Sequence, residues 1–135
     1  MDTCIFCQII AGQAPSHRVL EDEHAVAFLD ISPASPGHTL VVPRVHARDL
    51  WELPEDTCAD VARLAHRVAA LLRERLEPDG LSVTQANGAA AWQEVFHFHT
   101  HLIPRWRGDA LRTMWSPDRA SFEDLRKMAD RLAQR

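Results

Sequence analysis

Three histidines alternate with other residues in one short segment of the chain, at His97, His99 and His101. Side chains alternate between the two faces of a β-strand, so in a strand these imidazoles would form a row on one face. A lone histidine is usually an ordinary surface or core residue, and this spacing disfavours that interpretation. Two chemistries fit the row. The imidazoles could bind one metal ion together, or a neutral imidazole could attack phosphorus while a neighbour donates a hydrogen bond to the phosphate oxygens.

A second group of reactive side chains lies near the N-terminus, where two residues separate Cys4 from Cys7. Such a pair can be a redox dithiol, two buried thiols or half of a zinc site, and a zinc site needs two further ligands. Cys58 stands alone and is expected to be a small buried residue or an inert thiol. Three cysteines are too few for a disulfide scaffold, which favours free thiols in a reducing compartment.

The composition is that of an ordinary globular protein. With 135 residues, 46% of them apolar, the chain is expected to form a single domain at 1–135. The net charge of -4 gives no electrostatic reason to expect binding to nucleic acid or to a membrane surface. The first residues carry no basic region or long apolar run, and no apolar stretch of about 18 residues occurs. A cytoplasmic location is therefore expected.

The elements that must position the reactive residues follow from hydrophobic periodicity and turn residues. A short helix at 4–11 and a long amphipathic helix at 54–76 are predicted, and a capping box at Ser121 opens a last helix at about 121–133. Apolar and β-branched runs predict five strands, at 18–21, 25–30, 39–42, 81–86 and 95–103. The fifth contains all three histidines and is expected to end at Pro104. These elements indicate an α+β fold with a mostly antiparallel sheet.

The histidine row and its surroundings resemble the histidine triad (HIT) family. The signature His97-Phe98-His99-Thr100-His101-Leu102-Ile103 alternates as in that family, and further blocks resemble it in the same order, at 30–33, 36–43, 87–88 and 95–105. The resemblance covers most of residues 4–105. It implies a five-stranded antiparallel sheet with one long and two shorter helices, and a sheet that continues across a homodimer. Residues after 105, with the helix at about 121–133, would form a C-terminal extension.

The resemblance implies a hydrolase that acts at the α-phosphorus of a nucleotide through a covalent nucleotidyl-histidine. His99 matches the nucleophile, and the carbonyl of His97 matches the group that accepts a hydrogen bond from it. His101 matches the residue that contacts the phosphate and the leaving group. Nucleotide-transferring relatives have glutamine there, so a histidine favours hydrolysis. His38 matches a histidine that orients His101, and stabilisation of its own turn is the alternative. Nucleoside phosphoramidates and dinucleoside polyphosphates are the expected substrates.

Other matching positions imply a nucleotide pocket. Asp30 matches the acid that accepts hydrogen bonds from the ribose hydroxyls. Phosphate contacts are implied for Asn87, Gln93 and Glu94. The implied base slot is apolar and is lined by Ile5, Phe6, Ile9, Phe28, Leu29 and Ile31. Each of these apolar residues, taken alone, fits an ordinary core equally well.

The cysteine pair gains two partners from the same resemblance. In Cys-bearing bacterial members of the family, and in the related galactose-phosphate uridylyltransferases, such a pair joins two histidines that match His46 and His97. The resemblance thus implies a structural, tetrahedral zinc site formed by Cys4, Cys7, His46 and His97. Such a site would fix the N-terminal helix to the sheet. No organic cofactor is expected.

Two residues beside the expected phosphate site depart from the family pattern. Trp92 replaces a glycine, and because tryptophan disfavours backbone conformations that are open to glycine, the loop at 88–93 is expected to differ. Glu94 replaces the serine of one branch and would repel phosphate if it were ionised and close. Two alternatives remain: a non-catalytic nucleotide-binding or zinc-dependent interaction protein, and a metallohydrolase that uses all three histidines.

Overall fold

Five antiparallel strands form the centre of the fold. The computed structural model describes residues 3–112 and 115–133, so both ends of the predicted 1–135 domain lie outside the described residues. The strands are β1 (Arg18–Glu21), β2 (Ala25–Leu29), β3 (Thr39–Pro43), β4 (Gly80–Thr84) and β5 (Thr100–Arg105). The helices are α1 (Ile5–Ile10), α2 (Glu55–Leu76) and α3 (Phe122–Ala133), with a 3-10 turn at Ala89–Ala91. The sheet order is β1-β2-β3-β5-β4, which confirms the predicted α+β class and five-stranded antiparallel sheet.

The two faces of the sheet carry different layers. On one face the sheet packs against the apolar side of α2, and the buried residues there include Ala25, Ala27, Val41, Val61, Leu64, Val68, Leu72, Phe98 and Leu102. On the other face α1 contributes Phe6 and Ile9 to a second cluster with Val26, Phe28, Leu40 and Val42. His101 is paired in register with Leu40, so its side chain lies on the α1 face. The histidine segment therefore faces away from the long helix.

A close approach between α2 and the turn before β3 fixes the start of that strand. Gly37 has a φ of +88°, and a Cβ atom there would come within 2.5 Å of the Leu76 side chain and 3.3 Å of Pro104. The left-handed backbone requires glycine, and any larger residue would also displace the Leu76 side chain. The next residue is His38, so this turn also determines where its imidazole lies.

The fifth strand differs most from the prediction. It begins at Thr100 rather than at residue 95, because the preceding segment is tied to a neighbouring loop: the Phe98 amide donates to the Ala47 carbonyl at 2.7 Å. The strand continues through Pro104, which was expected to end it. Strand β3 pairs with β5 only up to Leu102, so Pro104 lies where β4 alone flanks the strand and its missing N–H is tolerated. Strand β4 ends at Thr84 rather than at residue 86.

The chain after β5 leaves the sheet through a fixed turn. The Arg105 guanidinium makes two hydrogen bonds of 2.8 Å to the Asp109 carboxylate, and the Arg107 amide donates to Asp79 at 2.8 Å. Helix α3 starts where the capping box predicted, since the Ser121 hydroxyl accepts from the Asp124 amide at 3.1 Å. Every described residue from 115 to 133 is exposed. No helix in the described parts of the chain combines the length and apolarity needed to cross a membrane.

Candidate active site and metal centre

One ring nitrogen of His99 makes a hydrogen bond to the backbone, and the other makes none to the described residues. Its Nδ1 donates to the His97 carbonyl at 2.7 Å, which places the proton of the neutral imidazole on Nδ1 and leaves a lone pair on Nε2. The ring is buried, and Phe6 packs edge-on against it with ring centroids 5.1 Å apart. No described residue hydrogen-bonds to Nε2. This is the arrangement that a nucleophilic imidazole requires.

A chain of hydrogen bonds fixes the neighbouring ring of His101. The Ala34 amide donates to His38 Nδ1 at 2.9 Å, so the proton of neutral His38 is on Nε2. His38 Nε2 lies 2.9 Å from His101 Nδ1 and 3.5 Å from an Asp30 carboxylate oxygen, so its proton faces both acceptors. His101 Nδ1 therefore accepts, and its own proton is on Nε2. The rings of His99 and His101 lie 4.9 Å apart, so a lone pair and an N–H donor stand side by side.

Burial keeps these imidazoles neutral. Loss of solvent lowers the pKa of His101 to about 4, with smaller contributions from the neighbouring His99 and His38. The pKa values of His99 and His38 are also lowered, first by burial, and the Asp30 charge opposes the shift in both. At neutral pH the site thus contains neutral rings, as an attacking imidazole must be.

His97 faces a different set of partners, the two cysteines and His46. Its Nδ1 lies 3.5 Å from Cys4 Sγ, 3.6 Å from Cys7 Sγ and 3.2 Å from His46 Nδ1, and Cys7 Sγ lies 3.4 Å from His46 Nδ1. A tetrahedral zinc ion with ordinary bond lengths separates two nitrogens by about 3.3 Å and a nitrogen from a sulfur by about 3.6 Å. These four distances therefore match four of the six edges of a zinc tetrahedron, and all four donor atoms lie within 4.8 Å of one another. His97 Nε2 donates to the Pro43 carbonyl at 2.9 Å, which leaves Nδ1 free to bind metal.

The three histidines of the row do not converge on one point. His97 Nδ1 belongs to the Cys4, Cys7 and His46 group, whereas His101 belongs to a second group with Asp30 and His38. In the described parts of the chain these are the two groups whose donor atoms lie close enough for a metal ion, and the row itself is not one of them. The geometry therefore does not support a single ion shared by His97, His99 and His101.

The two amide side chains expected to contact phosphate bind protein groups instead. Gln93 is buried; its Oε1 accepts from the Gly88 amide, and its Nε2 donates to the carbonyls of Arg48 and Val95. Asn87 Oδ1 accepts from the Leu50 amide at 2.7 Å, and its amide group also pairs with Gln85. Both side chains brace the β4–β5 loop against the loop before α2. In this arrangement Gln93 has no spare donor for phosphate, and its direct contact stays a prediction.

Trp92 and Glu94 are the two residues that depart from the family pattern. Trp92 adopts a left-handed backbone with φ 69° and ψ 27°, a conformation that glycine adopts easily and that tryptophan disfavours. The 3-10 turn before it and the Gln93 bonds around it hold it in place. The expectation that the loop at 88–93 differs from that of relatives stays a prediction. Glu94 is exposed and lines a cavity of about 430 Å³ together with Cys4 and His46. The structure thus places Glu94 beside the candidate metal centre.

The residues expected to line the base slot divide into two sets. Phe6, Ile9 and Phe28 are buried in the cluster beneath α1, where Phe6 also contacts the rings of His97 and His99. The other three, Ile5, Leu29 and Ile31, are exposed and offer free apolar surface, with Ile31 92% exposed. Asp30 lies beside Ile31, and one of its carboxylate oxygens accepts from the Ser32 amide at 2.8 Å.

The comparisons with known proteins place this site in a family. The model of the HIT domain matches residues 11–108. The chain belongs to the histidine triad (HIT) family. It is 40% identical to the Bacillus subtilis protein named hit, over 99% of this chain and 94% of the relative. It is 37% identical to a Saccharomyces cerevisiae protein named adenosine 5'-monophosphoramidase, over 96% of this chain and 80% of that relative.

Solved structures of HIT proteins have the same fold. A HIT family protein from Bacillus anthracis superposes with a TM-score of 0.90 at 39% identity, covering 98% of this chain and 96% of that one. A histidine triad family protein from Mycobacterium smegmatis, described as Zn-bound, superposes with a TM-score of 0.79 at 43% identity, covering 87% of this chain and 85% of that one. The expected membership of the HIT family and the expected fold are both confirmed.

The sequence analysis identified the His97 carbonyl and missed two other backbone groups that orient the histidines. The Ala34 amide sets the proton position on His38, and the Pro43 carbonyl sets it on His97. Neither group has a side-chain signal. The prolines and glycine near residue 34 indicate only that a turn is present.

Proposed function

We propose that this HIT protein is a nucleotide hydrolase that cleaves nucleoside phosphoramidates or dinucleoside polyphosphates at the α-phosphorus through a covalent nucleotidyl-histidine on His99. The observation that carries the proposal is the pair of rings at the centre of the site. His99 is neutral with a free Nε2 lone pair, and His101 beside it presents an Nε2–H donor. The relative named adenosine 5'-monophosphoramidase supports the same class of substrate.

The first chemical step forms the covalent intermediate. The Nε2 lone pair of His99 forms a bond to the α-phosphorus as the bond to the leaving group breaks. A phosphoramidate nitrogen that arrives protonated leaves as a neutral amine, and a phosphate leaving group departs as an anion without a proton. His99 becomes positively charged, and its Nδ1–H remains bonded to the His97 carbonyl. His101 Nε2–H donates a hydrogen bond to a phosphoryl oxygen as charge develops there.

The second step releases the nucleotide. Water attacks the phosphorus, the bond to His99 Nε2 breaks, and the electron pair returns to the imidazole. The extra proton of the water goes to solvent, so His99 is again neutral with its proton on Nδ1. His101 keeps its hydrogen bond to the phosphoryl oxygen in both steps, because Ala34 and His38 hold its tautomer.

We base the remaining substrate contacts on the positions that match the family. We assign the ribose hydroxyls to Asp30 and the base to the apolar residues that the family resemblance indicates, the buried Phe6, Ile9 and Phe28 and the exposed Ile5, Leu29 and Ile31. Asn87 and Gln93 would act on phosphate mainly by shaping the loop between them. Glu94, on the metal side, does not have to approach the phosphate.

We assign a structural zinc ion to Cys4, Cys7, His46 and His97. The donor spacing supports this assignment, as does the Zn-bound relative. When bound, zinc would supply a rigid cross-link between α1 and the histidine segment. The carbonyl of His97 would then hold His99 in a fixed position. Free thiols are needed for this site, which favours a reducing compartment such as the cytoplasm.

We also assign one domain to residues 1–135 and a homodimer in which the sheet continues across the β4 edges. Strand β4 is a sheet edge, its Val83 side chain is exposed, and a cavity of about 780 Å³ opens between β4 and α2. Unpaired edges of this kind favour pairing with another strand. The cavity is lined by small and apolar side chains such as Ala69, Ala70 and Leu81, and by charged side chains such as Arg73 and Glu74.

The test is a search for product and for the intermediate. Wild-type protein and a His101→Gln variant are incubated with adenosine 5'-phosphoramidate and, separately, with diadenosine tetraphosphate. The product and the protein are analysed by mass spectrometry under alkaline conditions that preserve phosphohistidine. We expect AMP as product and an adenylyl group on the peptide that contains His99. Nucleotide binding without product from either substrate class would overturn the proposal and favour a non-catalytic nucleotide-binding protein.

A further inference from the structure

The cavity of about 430 Å³ beside the candidate metal centre, here named the access cavity, is lined by residues 3–5, His46 and residues 94–96. Two of the four ligand side chains, Cys4 and His46, therefore face it. His97 does not line it and is fully buried, with its Nε2 bonded to the Pro43 carbonyl and the Phe6 ring packed edge-on against it. A zinc ion with six water ligands occupies roughly 200 Å³, at about 30 Å³ for each water. The access cavity is thus wide enough for a hydrated ion to reach the ligands.

Glu94 is the one acid among the described residues that line the access cavity. Its side chain is exposed, and it makes no hydrogen bond or ion pair with any described residue. The backbone on either side is fixed, because Gln93 is buried and its side-chain amide bonds to the Gly88 amide and to the Val95 carbonyl. A carboxylate without a partner is thus held at the wall of the cavity that leads to the metal ligands.

Glu94 does not belong to the ligand set itself. The four donor atoms of Cys4, Cys7, His46 and His97 lie within 4.8 Å of one another, and no oxygen of Glu94 is part of that group. Four donors complete the tetrahedral coordination of a structural zinc site. Such a site is neutral when filled, since two thiolates balance the charge of the ion and both imidazoles are neutral. The carboxylate therefore attracts an ion that passes through the cavity more strongly than an ion that is already bound.

We infer that zinc reaches and leaves its four ligands through the access cavity, and that Glu94 binds the hydrated cation on the way. The carboxylate raises the local concentration of cations at the opening of the cavity. The four donors then replace the water ligands, and the two thiol protons pass to solvent. The same carboxylate assists passage in both directions, so uptake and release change in the same proportion and the dissociation constant stays nearly constant. The inference rests on the zinc site proposed above and does not depend on nucleotide hydrolysis.

The test is isotope exchange in the folded, zinc-loaded, full-length protein under reducing conditions. Wild type and Glu94→Gln are loaded with ⁶⁷Zn, excess natural zinc is added, and the isotope ratio of the desalted protein is followed over time by mass spectrometry. Equilibrium competition with a chelator gives the dissociation constant of each protein. A dication and a carboxylate about 8 Å apart in water attract each other enough to change a rate roughly sixfold. We expect Glu94→Gln to slow exchange about three- to tenfold and to change the dissociation constant less than twofold.

Three controls separate the charge of Glu94 from its effect on the fold. Glu74→Gln removes the same charge from an exposed position on α2, on the opposite face of the sheet from α1, and should change the exchange rate less than about 1.5-fold. Glu94→Asp keeps the charge and should retain at least half of the wild-type rate. In 1 M sodium nitrate, where charges are screened beyond roughly 3 Å, wild type and Glu94→Gln should exchange zinc at nearly the same rate.

The possible results distinguish this inference from the zinc assignment. Zinc-loaded wild type and Glu94→Gln that exchange equally fast at low salt would overturn the role of Glu94 and leave the zinc site in place. A dissociation constant that weakens as much as the rate changes would overturn it too, because Glu94 would then be a ligand. A slower rate that persists at 1 M salt would indicate an effect on the fold and would also contradict it. Wild-type protein without zinc at the four ligands would overturn both proposals.

Discussion

The segment from His97 to His101 passes through two histidine clusters that use the same side chain for different chemistry. Around His97, four of the distances that join two ring nitrogens and two sulfurs are 3.2–3.6 Å, in the pattern of ligands around one cation. Around His101, each close contact joins a donor to an acceptor, from the Ala34 amide through His38. A metal site needs lone pairs that all face one point, whereas a reactive site needs alternating protons and lone pairs.

The backbone decides which role each ring takes. The Pro43 carbonyl accepts from His97 Nε2 and so turns Nδ1 toward the cysteines. The His97 carbonyl accepts from His99 Nδ1 and so leaves Nε2 for substrate. His97 therefore belongs to both clusters, with its ring in one and its carbonyl in the other. Because the two clusters share only His97, replacement of any other member should affect one cluster and leave a distinct signature.

The largest effect is expected from removal of the proposed nucleophile. His99→Ala should lower kcat/KM for adenosine 5'-phosphoramidate at least about 10⁴-fold, because no other group can form the covalent intermediate. Zinc content, measured by atomic emission, should not change, since His99 does not belong to the metal cluster. His66→Ala removes an exposed histidine on α2 and should keep kcat/KM within about twofold of wild type. Equal losses in the two variants would contradict the division into two clusters.

Loss of a metal ligand should instead change the zinc content and the stability of the fold. Cys7→Ser is expected to lower zinc content from about one ion per chain to near zero and to reduce the free energy of unfolding by roughly 3 kcal/mol or more, because metal binding contributes directly to folding. Urea denaturation together with metal analysis measures both quantities. Cys58→Ser is the matched control and should cost less than about 1 kcal/mol. A Cys7→Ser protein that retains zinc and stability would contradict the metal assignment.

Much of this division could be predicted from the sequence, since the ligand set and the nucleophile match family positions. The contacts that enforce it could not. Pro43 acts through its carbonyl, which a residue of any type could supply. Ala34 acts through its amide, which a residue of any type except proline could supply. The predicted start of β5 is too early, because the alternation of histidines already holds at residues 97–99. In that segment the backbone bonds to a loop, through the Phe98 amide and the Ala47 carbonyl, and not to a strand. Sequence periodicity indicates which face of a strand a side chain occupies. It does not indicate which group the backbone of that residue hydrogen-bonds to.

A smaller effect is expected from the residue behind His101. His38→Ala should lower kcat about 10- to 100-fold with less than a twofold change in KM, because His101 loses the donor that fixes its tautomer while the substrate contacts stay in place. His38→Gln keeps an N–H donor and should recover part of the loss. Steady-state kinetics with adenosine 5'-phosphoramidate distinguishes the two variants. Equal kcat values for alanine and glutamine would indicate that His38 acts only on the fold of its turn.

The smallest effect concerns the dependence of stability on pH. Unfolded His101 binds a proton below about pH 6.5, whereas in the folded protein burial lowers its pKa to about 4. Between these values the unfolded state binds more protons, so the free energy of unfolding must fall as the pH decreases from 6.5 towards 4. The contribution of His101 is roughly 1 kcal/mol at pH 5.5 relative to pH 7.5. Urea denaturation of wild type and His101→Gln at both pH values isolates this contribution, because acid effects on the metal cluster are common to the two proteins. If both lose the same stability, the ring of His101 is not held neutral by its surroundings, and the contrast between the two clusters then depends on the metal side alone.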